Sequence, residues 1–212
     1  MYFMLLLALA GLGSSCTNED DSQGQTTSGA AGEIQLIFSG SGDSQEYTKG
    51  IASEPENKID KLKVYLFAAE SAEAADTDWH YLETWTMTNA APGANQFNLQ
   101  SSGSSWKASI KPGELKGLPY LTLVCVANQD DVPDEAGTTI TLTAVTTDAG
   151  TGAITAAGTL LSAFKEAYTA TLTGASDPLV TPLVMTGTGT TKISGSVSKV
   201  TINLKRIVAR FD

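Results

Sequence analysis

The stretch PYLTLVCVAN, residues 119 to 128 of a 212-residue chain, is almost continuously apolar. Val124 and Val126 stand opposite Leu123 and Cys125, so neither side of an extended backbone here would suit water. Such a run reads as a central strand covered on both faces, and it sets the middle of a sheet. The segments around it alternate with period two and are punctuated by Gly, Pro, Asn and Asp, which is the pattern of an all-β sandwich.

Outward from that strand, EIQLIFS (33–39) places Ile34, Leu36 and Phe38 on one face. IDKLKVYLF (59–67) turns Leu62, Val64 and Leu66 inward and Lys61 and Lys63 outward. YLETWTM (81–87) sets Tyr81, Trp85 and Met87 against Leu82, Thr84 and Thr86. QFNL and WKASI form a hairpin around Ser101 to Ser105. Residues 138–157 are β-prone but shallow, as a hairpin on a loop edge would be. In GTLLSAFKEAYTAT, Leu160, Phe164 and Tyr168 recur every four residues, the spacing of one helix face. This is the one helix expected, capping an open end of the sandwich. The prolines of PLVTPLVMTG confine that segment to an edge strand or to no strand. In VSKVTINLKRIVARFD, Val200, Ile202 and Leu204 share one face and Ile207, Ala209 and Phe211 the other, as at a β-bulge or where a strand passes between two sheets. The fold expected is thus a β-sandwich of about seven or eight strands with one short helix. The abrupt end after Asp212 reads as a module whose second half is encoded elsewhere.

The hydrophobic content of 42% is ordinary for a packed domain. Thirteen Lys+Arg against 23 Asp+Glu, a net charge of −10, make nucleic acid a poor partner. The first 48 residues carry no Lys or Arg, and the remainder is only mildly acidic, with 17 acids against 13 bases.

Met1 to Leu12 is too short to span a bilayer but fits the apolar region of an export signal. Its leading MYFM lacks the usual positive charge, as though the start lay further upstream. Gly13, Ser14 and Ser15 then lead into Cys16, an arrangement that resembles the lipobox of bacterial lipoproteins. The division expected is a signal peptide over 1–15, a lipidated flexible tether over 16–32 and a β domain over 33–212. Acyl chains on Cys16, at about 0.8 kcal/mol per buried CH₂, would hold the protein to a membrane while the polar tether keeps the domain in water.

Catalytic and metal sites find little support. Cys125 alternates with Leu121 and Leu123 as a buried small hydrophobe. His80, the only histidine, reads as structural or as a surface residue. One His and one remaining thiol serve zinc poorly. NQDDVPDEAG (128–137) gathers Asp130, Asp131, Asp134 and Glu135 without the order of a strong calcium motif, and reads as a solvated acidic turn. Trp79, Tyr81, Trp85 and Trp106 at strand positions read as core or cross-strand pairs; the rival reading makes them a sugar-binding platform on a carbohydrate-binding surface module. No catalytic residue, metal or cofactor is expected.

Several of these segments, in their order, resemble the N-terminal domain of the fimbrillin superfamily, the lipoprotein precursors of type V pili. The resemblance rests on Cys16, IDKLKVYLF, TLVCVANQ, PLVMTGTG and INLKRIVARFD, and spans most of residues 16–212. It implies a transthyretin-like sandwich exported to the outer membrane and cell surface, with a role in adhesion. It further implies assembly with other pilus subunits by donor-strand complementation: a protease removes the first strand and the next subunit's strand fills the slot. EIQLIFS, with Ile34, Leu36 and Phe38, would be the displaceable strand, and Lys49–Gly50 the cleavage point. The family usually has Arg where this chain has Lys49, so an Arg-specific protease would pass it by.

Overall fold

The computed structural model describes residues 34–40, 59–87, 96–97, 100–102, 105–110, 115–130, 132–134, 137, 140–148, 150–173, 183–193 and 198–207. Its elements are β1 (Ile34–Gly40), β2 (Leu62–Ala69), β3 (His80–Met87), β4 (Gln96–Phe97), β5 (Gln100–Ser102), β6 (Ser105–Ile110), β7 (Tyr120–Ala127), β8 (Thr146–Thr147), β9 (Ile154–Ala156), α1 (Leu161–Thr173), β10 (Met185–Lys192) and β11 (Ser198–Arg206). Seven strands are six residues or longer and four are short, so the architecture is the all-β sandwich with one helix that the alternation predicts. The expected signal peptide, tether, Cys16, Lys49 and Gly50 lie outside the described residues.

Nine strands pair in the order β4-β3-β2-β7-β10-β11-β1-β6-β5, and β8 pairs with β9 alone. The order folds back on itself at β10 and β11. These two share only the pairs Met185↔Arg206 and Thr186↔Lys205, whereas β10 runs its whole length against β7 and β11 runs against β1. One half-sheet is therefore β4-β3-β2-β7-β10 and the other β11-β1-β6-β5, with the end of β11 as the splice. β11 thus pairs with both half-sheets, while Ala209 and Phe211, which carry the expected switch of faces, lie outside the described residues. The two prolines of the 178–187 segment precede β10, so Pro178 and Pro182 remove no donor from the strand itself.

The core between the halves gathers Leu62, Val64, Leu66 and Ala68 of β2 and Leu121, Leu123, Cys125 and Ala127 of β7. Facing them are Ile34 and Leu36 of β1 and Val200, Ile202 and Leu204 of β11. A second cluster lies on the opposite face of β2 and β7, where Tyr65, Phe67, Val124 and Val126 are closed over by Leu161 and Phe164. The helix thus lies across the outer face of the β2–β7 half-sheet and does not cap an open end. The physical reason is the apolarity of that face: β2 and β7 are buried along both sides, and an uncovered second face would leave four large side chains in water. The packing is aromatic, with Phe164 4.6 Å from Tyr65 and 5.2 Å from Phe67 between ring centroids. Leu161 N–H donates to the Trp79 carbonyl and Ser162 N–H to that of Asp76, satisfying the start of the helix. Lys165 pairs with Asp76 at 2.7 Å and fixes the same corner.

One face assignment differs from the alternation. Pairing of β2 with β3 slips between Leu66 and Phe67, so that Leu66 opposes Glu83 while Phe67 opposes Tyr81. Leu82 is the extra residue of a β-bulge. Beyond it the faces exchange: Trp85 enters the core between the sheets while Tyr81 packs under the helix.

Candidate functional site

The displaceable strand expected from the sequence is an interior element. Seven residues of β1 pair in parallel with β11, from Ile34↔Ser198 to Gly40↔Leu204. Six pair antiparallel with β6, from Ile34↔Ile110 to Ser39↔Ser105. Ile34 and Leu36 are fully buried, in one cluster with the inward side chains of β2, β7 and β11. Burying each contributes about 1.5–3 kcal/mol. Phe38 lies in the same strand opposite Trp106, but the side chains of both lie outside the described residues. The strand is held by backbone pairing on two sides and by apolar side chains at alternate positions. Both are general properties that another extended segment of like alternation could supply.

The splice that forms one wall of this slot depends on two glycines. A Cβ at Gly187 would stand 2.7 Å from the Asn203 carbonyl oxygen and 2.7 Å from Ile202 Cγ2. One at Gly189 would stand 2.6 Å from Val200 Cγ1. β11 therefore lies directly on β10 where it crosses from one half-sheet toward the other, and only glycine leaves room for it. The MTGTG motif carried this signal without its mechanism being legible.

Asn128 ties three strands together just past the end of β7. Its backbone is left-handed, φ 63°. The Oδ1 accepts from Asp60 N–H at 2.9 Å, Nδ2 donates to the Leu183 carbonyl at 2.9 Å, and the Asn128 N–H donates to Lys61 O at 3.0 Å. The approaches to β2 and β10 are thereby clamped to β7. Asparagine suits the position because it tolerates the left-handed region and carries both a donor and an acceptor.

The remaining candidates do not converge on a reactive centre. Cys125 is fully buried in the core, and burial pushes its thiol well up, the opposite of an activated nucleophile. The ring of His80 is engaged through Nδ1 with the Ala157 carbonyl at 2.9 Å. Trp79 and Trp85 are 3% and 0% exposed and lie on opposite faces of the sheet, so they form no common platform for a sugar. Asp130 pairs with Lys61 at 2.6 Å on the surface; Asp131 and Glu135 lie outside the described residues. Among the described residues no three His, Cys, Asp or Glu side chains gather to hold a metal, and no helix is long and apolar enough to cross a membrane.

Residues 30–206 of the chain match the family model of the major fimbrial subunit protein, FimA. No curated protein and no solved structure matches it significantly. The matched span runs from just before β1 to the last residue of β11, and so takes in both strands whose parallel pairing closes the slot. The chain belongs to the FimA major fimbrial subunit family.

Proposed function

We propose that the chain is a cell-surface fimbrial subunit, or a pilus-associated protein, that joins its neighbours by exchanging the β1 strand. The carrying observation is the interior place of β1, paired along both edges and inserting Ile34 and Leu36 into the core. If β1 leaves, it opens two rows of backbone donors and acceptors and an apolar trough, which a second subunit's alternating segment refills. Cleavage at Lys49–Gly50 would sever β1 from the rest of the chain. A member left uncut there keeps its own strand and serves as an anchor or terminal subunit. Lipidation of Cys16 fits an outer-membrane attachment. The work is structural: the family is one of subunits, and the buried Cys125 offers no accessible nucleophile.

The test replaces residues 47–51 with a site-specific protease sequence and supplies a dye-labelled peptide of residues 33–40. The cut protein is expected to exchange β1 for the labelled peptide and the uncut protein to exclude it. A cut protein that takes up no peptide, even in mild denaturant, would overturn strand exchange. Separately, acyl labelling in cells is expected to be lost in Cys16→Ala; retention of the label would remove the anchor.

A further inference from the structure

A groove of about 390 Å³ runs along the outside of the splice, on the face turned away from the β1 slot. Its floor is Val124 together with the β10 backbone at Gly187, and Tyr168 of α1 forms one wall. From β10 come the side chains of Thr186 and Thr188, and from β11 those of Thr201, Asn203 and Lys205. All these strand positions point outward, because their neighbours Gly187, Ile202 and Leu204 point toward the core.

Two properties of this groove point to one kind of ligand. The lining holds three threonine hydroxyls and an asparagine amide on alternate positions of two adjacent strands. Hydroxyls both donate and accept, as the vicinal hydroxyls of a sugar ring require. The lining includes no Asp or Glu, and Lys205 brings a positive charge to it. On the closed side, burial pushes the Tyr168 phenol up, and its hydrogen bond with the Thr186 hydroxyl offsets part of that shift. The chain's net charge of −10 argues against a polyanion, whose long-range repulsion one lysine would not offset. A volume near 390 Å³ suits one or two sugar rings.

We infer that the groove between α1 and the β10–β11 splice binds an acidic monosaccharide unit, with its carboxylate on Lys205 and its ring hydroxyls on Thr186, Thr188, Thr201 and Asn203. The ring's C–H face lies against Val124 and the Tyr168 ring. This site is independent of the β1 slot, so a subunit could carry it whether or not strands are exchanged.

The test follows backbone amide shifts of the isotope-labelled full chain on titration with glucuronate, with glucose and acetate as probes of ring and charge separately. Glucuronate is expected to give saturable shifts at residues 186–188 and 201–205 and to bind more tightly than either control. Lys205→Gln, at an exposed position, is expected to weaken glucuronate about tenfold or more and to abolish its advantage over glucose. Lys199→Gln, on the same strand outside the groove, is expected to change nothing. Thr188→Val should weaken glucuronate and glucose alike. The inference is overturned if no saturable shifts arise at these amides, if acetate or glucose matches glucuronate, or if Lys205→Gln binds as the wild type does.

Discussion

Single residues here do work that their neighbours could not take over. Asn128 satisfies backbone groups on the approaches to two strands from a left-handed conformation. Asn128→Ala is expected to cost about 2–3 kcal/mol in urea unfolding, with the slope against denaturant unchanged. Asn128→Asp, which keeps the acceptor but loses the donor to Leu183, should cost less. Gly187→Ala and Gly189→Ala push a methyl into the Asn203 carbonyl and Val200 respectively. Each should lower the thermal midpoint by the equivalent of about 1–3 kcal/mol, whereas Thr188→Ala, at an exposed position between them, should be silent. Tyr65 runs the other way. Its hydroxyl is buried beneath the helix without a partner, and burial, reinforced by Tyr81, Asp134 and Tyr168, raises its ionisation well above the ordinary value of 10.0. Tyr65→Phe should therefore be neutral or stabilising at pH 7. Tyr65 and Cys125 keep their protons in the folded chain past the point where the unfolded chain releases them, near 10.0 and 9.0. The stability they contribute is complete below those values and falls as pH rises beyond them. Alkaline unfolding should begin above about pH 9 and shift upward in Tyr65→Phe; an unshifted midpoint would assign the alkaline limit to other groups.

At the scale of elements, the helix illustrates how stability comes from packing instead of propensity. α1 has no acidic residue in its first turn and no basic residue in its last, so nothing on its own ends favours the macrodipole. Its anchor is Phe164, fully buried among Tyr65, Phe67 and Tyr168. Phe164→Ala is expected to cost about 3–5 kcal/mol and to expose the outer face of β2 and β7, read as dye binding and loss of near-ultraviolet dichroism. The existence of this helix was legible from a four-residue recurrence; its position was not. The signal for that position lay in Tyr65 and Phe67, which alternate with Leu62, Val64 and Leu66 and make β2 apolar on both sides, just as β7 is. The strand β7 was legible because a run broken only by Thr122 leaves no face that suits water. β3 was misread at Tyr81 because a bulge at Leu82 is set by pairing across the sheet and leaves no mark in the local alternation. The candidate slot was legible through Ile34 and Leu36, whose alternation is local. The groove at Lys205 was not, since Tyr168, Thr186 and Thr201 are brought together only by the topology.

In the whole molecule, the strand proposed to leave is also the one whose contacts are most distant in sequence. Ile34 sits beside Ser198 and Gly40 beside Leu204, so docking β1 on β11 closes a loop of roughly 160 residues, among the costliest in chain entropy that this fold requires. By contrast β2 and β3 pair within a span of residues 62–87, and the second sheet partner of β2, β7, ends at Ala127. Contacts of short separation offset their ordering cost first. The β2–β3–β7 half-sheet with its covering helix is therefore expected to form early and β1 to dock last. Pulsed hydrogen exchange during refolding should show β7 amides protected in the first phase and β1 amides only in the final one. The same ordering bears on assembly, because a sandwich able to form most of its core before β1 arrives would hold an open, structured slot once β1 is cut away. If β1 amides gain protection together with those of β7, the strand belongs to the nucleus, and its removal would unfold the subunit instead of readying it for a neighbour.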